Sequence, residues 1–465
     1  MDISQALDCN NFRFTPQSDK KRLLISVNPD LKTDFGHFLN YEKRIRNACA
    51  EAEIDHVCLS HKTCQISYDW LLPTFSQDSG HFSLLRRDAL NREEKIANQF
   101  LNELANGLKK VSEWEQYNEV GVFYYCGSSK LAVALSEVPH NKIAPITINA
   151  FWDFLEDTAC DPERYCGLKF DREISFLAMS QLHRNEILDQ TGFMFDFIPN
   201  PSPLESDAQA VELLTGKSYQ DSKTVSSTVF FPGLMSKGKG DDTTLRFIRH
   251  YLDKKPNFEL RVRDRTQQIP QDLKSGIIIE EGDFDDQGIR DLYFSSDIAV
   301  LPYEKDIFKV RTSGAIVDCL MYGVIPIVLS GSWLAHICEK YNFGYVAQST
   351  EPEVLFLAIK TIMKETHEFK MRQWRAAICY LSENSWDALL NCVFQPDIVS
   401  GKSEQTVFVK SLLAGSNRLV RNGEYEKATF LYEVLSQNVP LKMYRDNIAL
   451  CERLNQLEKF REPTL

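Results

Sequence analysis

No stretch of the 465-residue chain approaches the roughly 18 consecutive apolar residues of a membrane-spanning helix, so no span is expected. The start, MDISQALDCNNFRF, has neither a basic opening nor an apolar core, which argues against a secretory signal there. No CxxC pair occurs among the 12 cysteines, at 9, 49, 58, 64, 126, 160, 166, 319, 338, 379, 392 and 451. Several, such as Cys126 and Cys319, lie in apolar stretches, and the set reads as reduced, buried thiols of a cytoplasmic protein. Basic residues are in deficit, 53 Lys and Arg against 65 Asp and Glu for a net charge of −12. That balance excludes a general nucleic-acid binder, while leaving room for local basic pockets that hold nucleotide phosphates.

What the chain does have is length and apolar content. At 43% hydrophobic residues it can build large cores, and two or three domains are expected. The most informative stretch runs from Asp291 to Val346. A short helix leads into an apolar strand, 298–301, stopped by Pro302. A polar loop ends in Arg311-Thr312-Ser313-Gly314, and an apolar helix, 315–322, ends at Gly323, a left-handed cap. A second buried strand, 325–329, completes a βαβ unit with parallel strands.

A helix start presents backbone N–H groups and a favourable dipole to an anion, and Arg311 adds a fork for two phosphate oxygens. Gly314 removes the Cβ that would keep a phosphate off the backbone. A plain N-cap is the simpler reading of the same residues.

The order strand, Pro, loop, Ser-Gly, helix, Gly, x-Pro-strand resembles the donor-binding segment of two-domain GT-B glycosyltransferases, above all the retaining family-four (group 1) enzymes. Gly323, Pro326, Ile327 and Val328 fit the Gly-x-Pro-Val ending of that segment. The family's paired glutamates are altered: Asp318 stands at the second, Val310 at the first, and Glu304 is a displaced acid. Arg311, Ser313, Gly314, Gly331, Trp333 and Leu334 are similar to a variant Arg-x-Ser-Gly…Gly-x-Trp-Leu pattern in some bacterial enzymes of the fold.

The remaining chain continues the βα repeats. Strands are expected at 23–27, 56–59, 120–125, 143–148 and 174–179, with a helix at 84–111 and an irregular 61–83. Ligands in open α/β sheets collect beyond the carboxyl ends of strands. Gly36 and His37 after the first strand, and Trp152 and Asp153 after the fourth, are therefore candidates for acceptor contact (Gly36, Trp152) or for the base (His37, Asp153). His37 reads equally as a helix-start residue, and Trp152 and Asp153 as core and cap. His183 is expected at the surface. Ile198-Pro199-Asn200 resembles the family's mark for the end of the first domain.

In the second half, Val229–Phe231 runs into Pro232-Gly233-Leu234-Met235-Ser236-Lys237-Gly238-Lys239-Gly240. Gly233 and the Lys237/Lys239 pair resemble the family's glycine loop, in which ammonium groups meet a diphosphate; Leu234 stands where the family has Arg. Asp283-x-Asp285 looks like the metal-holding pair of single-domain GT-A transferases, but the surrounding βα repeats are of the other type, so a helix cap is the better reading. Ser385-Trp386 is similar to the family's late helix that crosses back to the first domain. The tail holds three expected helices, 406–421, 424–437 and 441–457, with Gly423, Tyr425, Ala428 and Tyr432 spaced like one tetratricopeptide unit.

The expected architecture is α/β: two doubly wound Rossmann-like domains of GT-B type with a small C-terminal helical extension. Boundaries are set at 1–200 for an acceptor domain, 201–224 for a linker, 225–395 for a donor domain and 400–465 for the tail. The resemblance implies transfer of a sugar from a nucleotide sugar to an acceptor hydroxyl at the cleft between the domains. Neither a metal nor a further cofactor is required, and the acceptor is a glycan, a lipid-linked species or a protein. The tail could dock a protein partner. The alternatives are a nucleotide-sugar epimerase on the same fold and a degenerate, non-catalytic nucleotide-binding protein.

Overall fold

Short apolar runs between polar loops become strands because a parallel sheet covered on both faces needs apolar side chains on both. The structure is a computed structural model that describes residues 22–33, 37–78, 90–111, 117–125, 146–150, 174–191, 195–216, 227–233, 238–264, 267–282, 284–394, 406–438 and 442–459. The chain divides into two compact units. One comprises Met1–Leu177, Gln190–Asp196 and Trp386–Leu465, the other Ala178–Asp189 and Phe197–Ser385.

The first sheet contains β1 (Arg22–Asn28), β2 (Ile54–His61), β3 (Leu71–Phe75), β4 (Glu119–Tyr124), β5 (Ile146–Ala150), β6 (Ile174–Ala178) and β7 (Asp196–Phe197). Their order is β3-β2-β1-β4-β5-β6-β7. β1 pairs in parallel with β2 and β4, β2 with β3, and β4 with β5. Every residue of β1 from Leu23 to Asn28 is buried, including the polar Ser26 and Asn28.

The second sheet contains β8 (Thr228–Phe231), β9 (Glu259–Arg263), β10 (Ile278–Glu280), β11 (Ile298–Leu301), β12 (Ile325–Leu329) and β13 (Tyr345–Ala347). Its order is β10-β9-β8-β11-β12-β13, parallel throughout. Both orders reverse direction once, between β1 and β4 and between β8 and β11. These are the doubly wound sheets expected from the βα repeats.

In the first unit the Trp386–Phe394 helix packs on β4 and on the His37–Glu51 helix. The tail helices are Thr406–Arg421, Tyr425–Asn438 and Lys442–Lys459. Gly423 turns between the first two with φ 80°. Ala428 and Tyr432 are fully buried, and Tyr432 donates to Asn417 Oδ1 at 2.6 Å, so the spacing noted in the sequence builds a helical hairpin. Among the described residues no helix is long and apolar enough to cross a membrane. The eight described cysteines are free thiols, six of them buried: Cys49, Cys58, Cys319, Cys338, Cys392 and Cys451.

Three local expectations are corrected. The 61–83 stretch contains strand β3, despite Pro73. It is an edge strand, where a missing N–H costs nothing on the open side. Part of the 201–224 linker is the Asp207–Thr215 helix, N-capped by Ser206 through Gln209 N–H at 3.1 Å. Val211, Leu213 and Leu214 of that helix are buried, and Trp374 Nε1 donates to Leu214 O at 2.8 Å. Trp374 lies on the Thr366–Glu383 helix, an element whose mixed apolar and charged pattern went unread.

The third correction is His183. Its side chain is 0% exposed, on the Gln181–Thr191 helix. Nδ1 accepts from Met179 N–H at 3.2 Å, and Ser180 Oγ accepts from His183 N–H at 3.1 Å to cap the helix. A proton on Nδ1 would break the first bond, and burial lowers the ring's pKa from 6.5 to about 4. An unfolded chain takes up that proton near 6.5 and the folded chain only near 4, so His183 stabilises the fold above 6.5 and this contribution is lost as pH falls towards 4. The expected loss is about 3 kcal/mol. Urea midpoints of wild type and His183→Gln across that window should show a flatter slope in the variant; parallel slopes would contradict the assignment.

Candidate functional site

Pro302 stops β11 because it cannot extend the strand ladder. The loop that follows turns at Glu304, whose backbone O accepts from Ile307 and Phe308 N–H at 3.2 and 2.9 Å. Phe308 O in turn accepts from Trp333 N–H at 2.7 Å, and Val310 O from the Ser180 hydroxyl at 3.4 Å. Lys309 pairs with Glu186 at 2.8 Å. The loop is thus anchored on both flanks before it delivers Arg311.

Ser313 occupies the N-cap position of the Gly314–Tyr322 helix in extended backbone, yet its hydroxyl makes no capping bond. It stands beside the Tyr303 phenol and offsets in part the rise in pKa that burial causes there. The plain N-cap is therefore not what this serine side chain does. At the other end Gly323 adopts φ 71°, and Gln373 Nε2 donates to both Cys319 O and Val324 O at 2.9 Å.

The glycine loop after β8 interlocks with this segment. Glu304 N–H donates to Gly238 O at 2.9 Å. Gly240 has φ 83°, and a Cβ there would sit 2.3 Å from Pro302 O. The close fit carries Lys239 across the end of β11, with its Nζ 5.8 Å from the Tyr303 ring centroid. Tyr303 packs on Phe308 with centroids 4.6 Å apart, and Arg311 lies over the Phe308 ring at 5.3 Å.

A cavity of about 190 Å³ opens at the carboxyl ends of these strands, within the second unit. Phe230 and Pro232 bring the end of β8, Arg263 the end of β9, Tyr303 the end of β11, and Ser313, Gly314 and Asp318 the helix start. This is the point where the strand order reverses, the usual place for a ligand in such a sheet. Lys239 is held below its ordinary pKa by burial and then by Arg311 and Arg263. Burial, followed by the nearby Asp318 carboxylate, pushes the Tyr293 phenol up. The arrangement is one acid, Asp318, facing a group of cations and a helix N-terminus.

The structure brings together Lys239, Ser313, Gly314 and Asp318 in that cavity, with Arg311 acting on Lys239 from beside it. Gly233 supports the loop from behind, where a Cβ would meet Lys239 O at 3.1 Å. Thr312 and Glu304 do not line the cavity, and Glu304 is exposed. Asp285 caps the Asp286–Phe294 helix through Gly288 N–H at 2.8 Å. Gly36, Trp152, Asp153, Lys237 and Asp283 lie outside the described residues, as does the side chain of His37, the first residue of its helix.

Sequence reading missed Arg263, Tyr293 and Tyr303. Arg263 was detectable as the last residue of a strand neighbouring β8. It also missed a buried network at the end of β1. There Ser26 Oγ donates to Glu42 Oε2 at 2.6 Å, Asn28 Nδ2 to Glu42 Oε1 at 2.9 Å, and His56 Nε2 lies 2.9 Å from Ser26 Oγ. Burial raises the Glu42 pKa and, with Arg46, lowers that of His56 to about 3. With Glu42 0% exposed, this network orders the core of the first sheet rather than meeting a ligand.

The fold is that of the GT-B glycosyltransferases. Similar solved structures include a glycosyltransferase from Rickettsia africae, at 12% identity and TM-score 0.50 over 80% of this chain and 96% of that one. An α,α-trehalose 6-phosphate synthase from Burkholderia multivorans matches at 9% identity and TM-score 0.53, covering 79% and 96%. A sucrose-phosphate synthase from Thermosynechococcus elongatus matches at 11% and 0.52, again covering 79% and 96%. No protein-family model matches the sequence, and no curated protein sequence does.

Gly240→Ala tests the interlock on which the cavity rests. The added Cβ meets rigid backbone and requires a left-handed residue, so a loss of stability of at least about 2 kcal/mol is expected in urea unfolding. A change below about 0.5 kcal/mol would show that the two loops are free to part.

Proposed function

We propose that the second unit binds the diphosphate of a nucleotide sugar and that the chain transfers the sugar to an acceptor hydroxyl. The observation that carries this reading is the convergence of Lys239, Arg263 and the Gly314 helix start on one cavity at the switch point of the second sheet. Such groups, fixed in advance, favour charge that develops on a departing diphosphate. The named activities of similar structures, trehalose 6-phosphate synthase and sucrose-phosphate synthase, support a glycosyl transfer.

In the proposed reaction the bond from the sugar's anomeric carbon to the diphosphate oxygen breaks. A bond to the acceptor oxygen forms, and the acceptor's proton passes to a base. His37 and Asp153 are the proposed bases. Asp318, the one acid among the described residues lining the cavity, is the proposed partner of donor hydroxyls. Arg311 joins Lys239 on the phosphates, so the leaving charge is met by side-chain cations and binding should survive a chelator. Nucleobase, sugar and acceptor stay unassigned.

A panel of nucleoside diphosphates and nucleotide sugars, with chelator present, should raise the thermal midpoint of the wild-type chain in a concentration-dependent way for one class. Arg311→Ala and Lys239→Ala should each abolish most of the shift. No shift with any nucleotide would defeat the reading, and a shift without turnover on any acceptor would favour a binding role. pH offers a second check. Lys239 titrates below its ordinary 10.5, and a bound dianion would raise its pKa again. Affinity should therefore weaken as pH rises through the depressed pKa, and Lys239→Arg should flatten that alkaline limb, as followed by calorimetry.

A further inference from the structure

We propose that Tyr303 and Phe308 are positioning residues that hold Lys239 and Arg311 side by side for one anion; this deepens the donor-site reading and rests on it. Two cations brought together repel, and the depressed pKa of Lys239 follows from burial and from Arg311 and Arg263. Among the described residues no carboxylate forms an ion pair with Lys239. Two aromatic faces are placed to hold the cations there. The ammonium lies 5.8 Å from the Tyr303 centroid and the guanidinium carbon 5.3 Å from that of Phe308. An aromatic face is electron-rich, and this attraction is larger where water is excluded.

The rings are themselves immobile. Tyr303 is 2% exposed and Phe308 3%, and they pack on each other at 4.6 Å with an interplanar angle of 46°. Phe308 is tied at both backbone atoms, its N–H to Glu304 O at 2.9 Å and its O to Trp333 N–H at 2.7 Å. Each cation therefore rests on a fixed surface, and the two surfaces are joined. An acid in their place would neutralise the cations and compete with the incoming anion, whereas an aromatic pair holds them while leaving their charge available. The role is distinct from core packing, because an aliphatic residue of similar bulk would fill the space without the electron-rich face.

Calorimetric binding of inorganic pyrophosphate to the full chain, using wild type, Phe308→Leu, Arg311→Ala and the double variant, separates the two. Phe308→Leu is expected to weaken pyrophosphate about three- to tenfold. In the Arg311→Ala background the same change should have no further effect, since the cation it positions is gone. Equal weakening in both backgrounds, or none in either, would overturn the positioning role. If Arg311→Ala weakens binding while Phe308→Leu is silent, the donor-site reading stands and this inference falls. A wild-type chain that does not bind pyrophosphate overturns both. Should Phe308→Leu not fold, Tyr303→Leu against Lys239→Ala runs the same cycle on the other half of the pair.

Discussion

The contact on which the site depends is one between two pieces of backbone. Gly240, in a left-handed conformation, presses on the Pro302 carbonyl where a Cβ would have only 2.3 Å. Only glycine combines that φ with that proximity. The fit, with the Glu304-to-Gly238 hydrogen bond, ties the loop after β8 to the loop after β11, two neighbouring strands on either side of the switch in strand order. Lys239 sits between the two glycines, so its backbone is fixed close to Tyr303, and its ammonium lies over that ring.

The second sheet and the first spend buried polarity in opposite ways. At the end of β1, Glu42, Ser26, Asn28 and His56 are linked by hydrogen bonds, and burial favours the uncharged forms of both titrating groups. Such a network specifies packing, because losing one member leaves another buried polar group without its bond. At the ends of β8, β9 and β11 the reverse holds. Lys239 and Arg263 meet a helix N-terminus, with Asp318 the one acid among the described residues lining the cavity. Cations held at a helix N-terminus gain when an anion enters.

Much of the frame was legible from the chain alone. Continuous apolar runs marked most of the buried strands, and Gly323 marked the end of the site helix, because local propensity and burial agree there. Lys239, Ser313, Gly314 and Asp318, named from the helix start and from the family resemblance, line one cavity. Where local signals conflicted with tertiary context the reading failed. Pro73 hid an edge strand, the Pro- and Ser-rich lead-in hid the Asp207–Thr215 helix, and a polar histidine at 183 proved to be buried.

What the sequence by itself determined is the order of elements: hydrophobic periodicity dictates strand and helix locally, and glycine and proline dictate where they stop. Only the tertiary structure decided which strand ends meet. Arg263 lies 24 residues from Lys239 and 55 from Asp318 along the chain, and parallel pairing of β9, β8 and β11 alone brings the three to one cavity. It also decided that Ser313, at the N-cap position, makes no side-chain capping bond. Such choices turn on contacts between segments far apart in sequence, and no local pattern encodes their outcome.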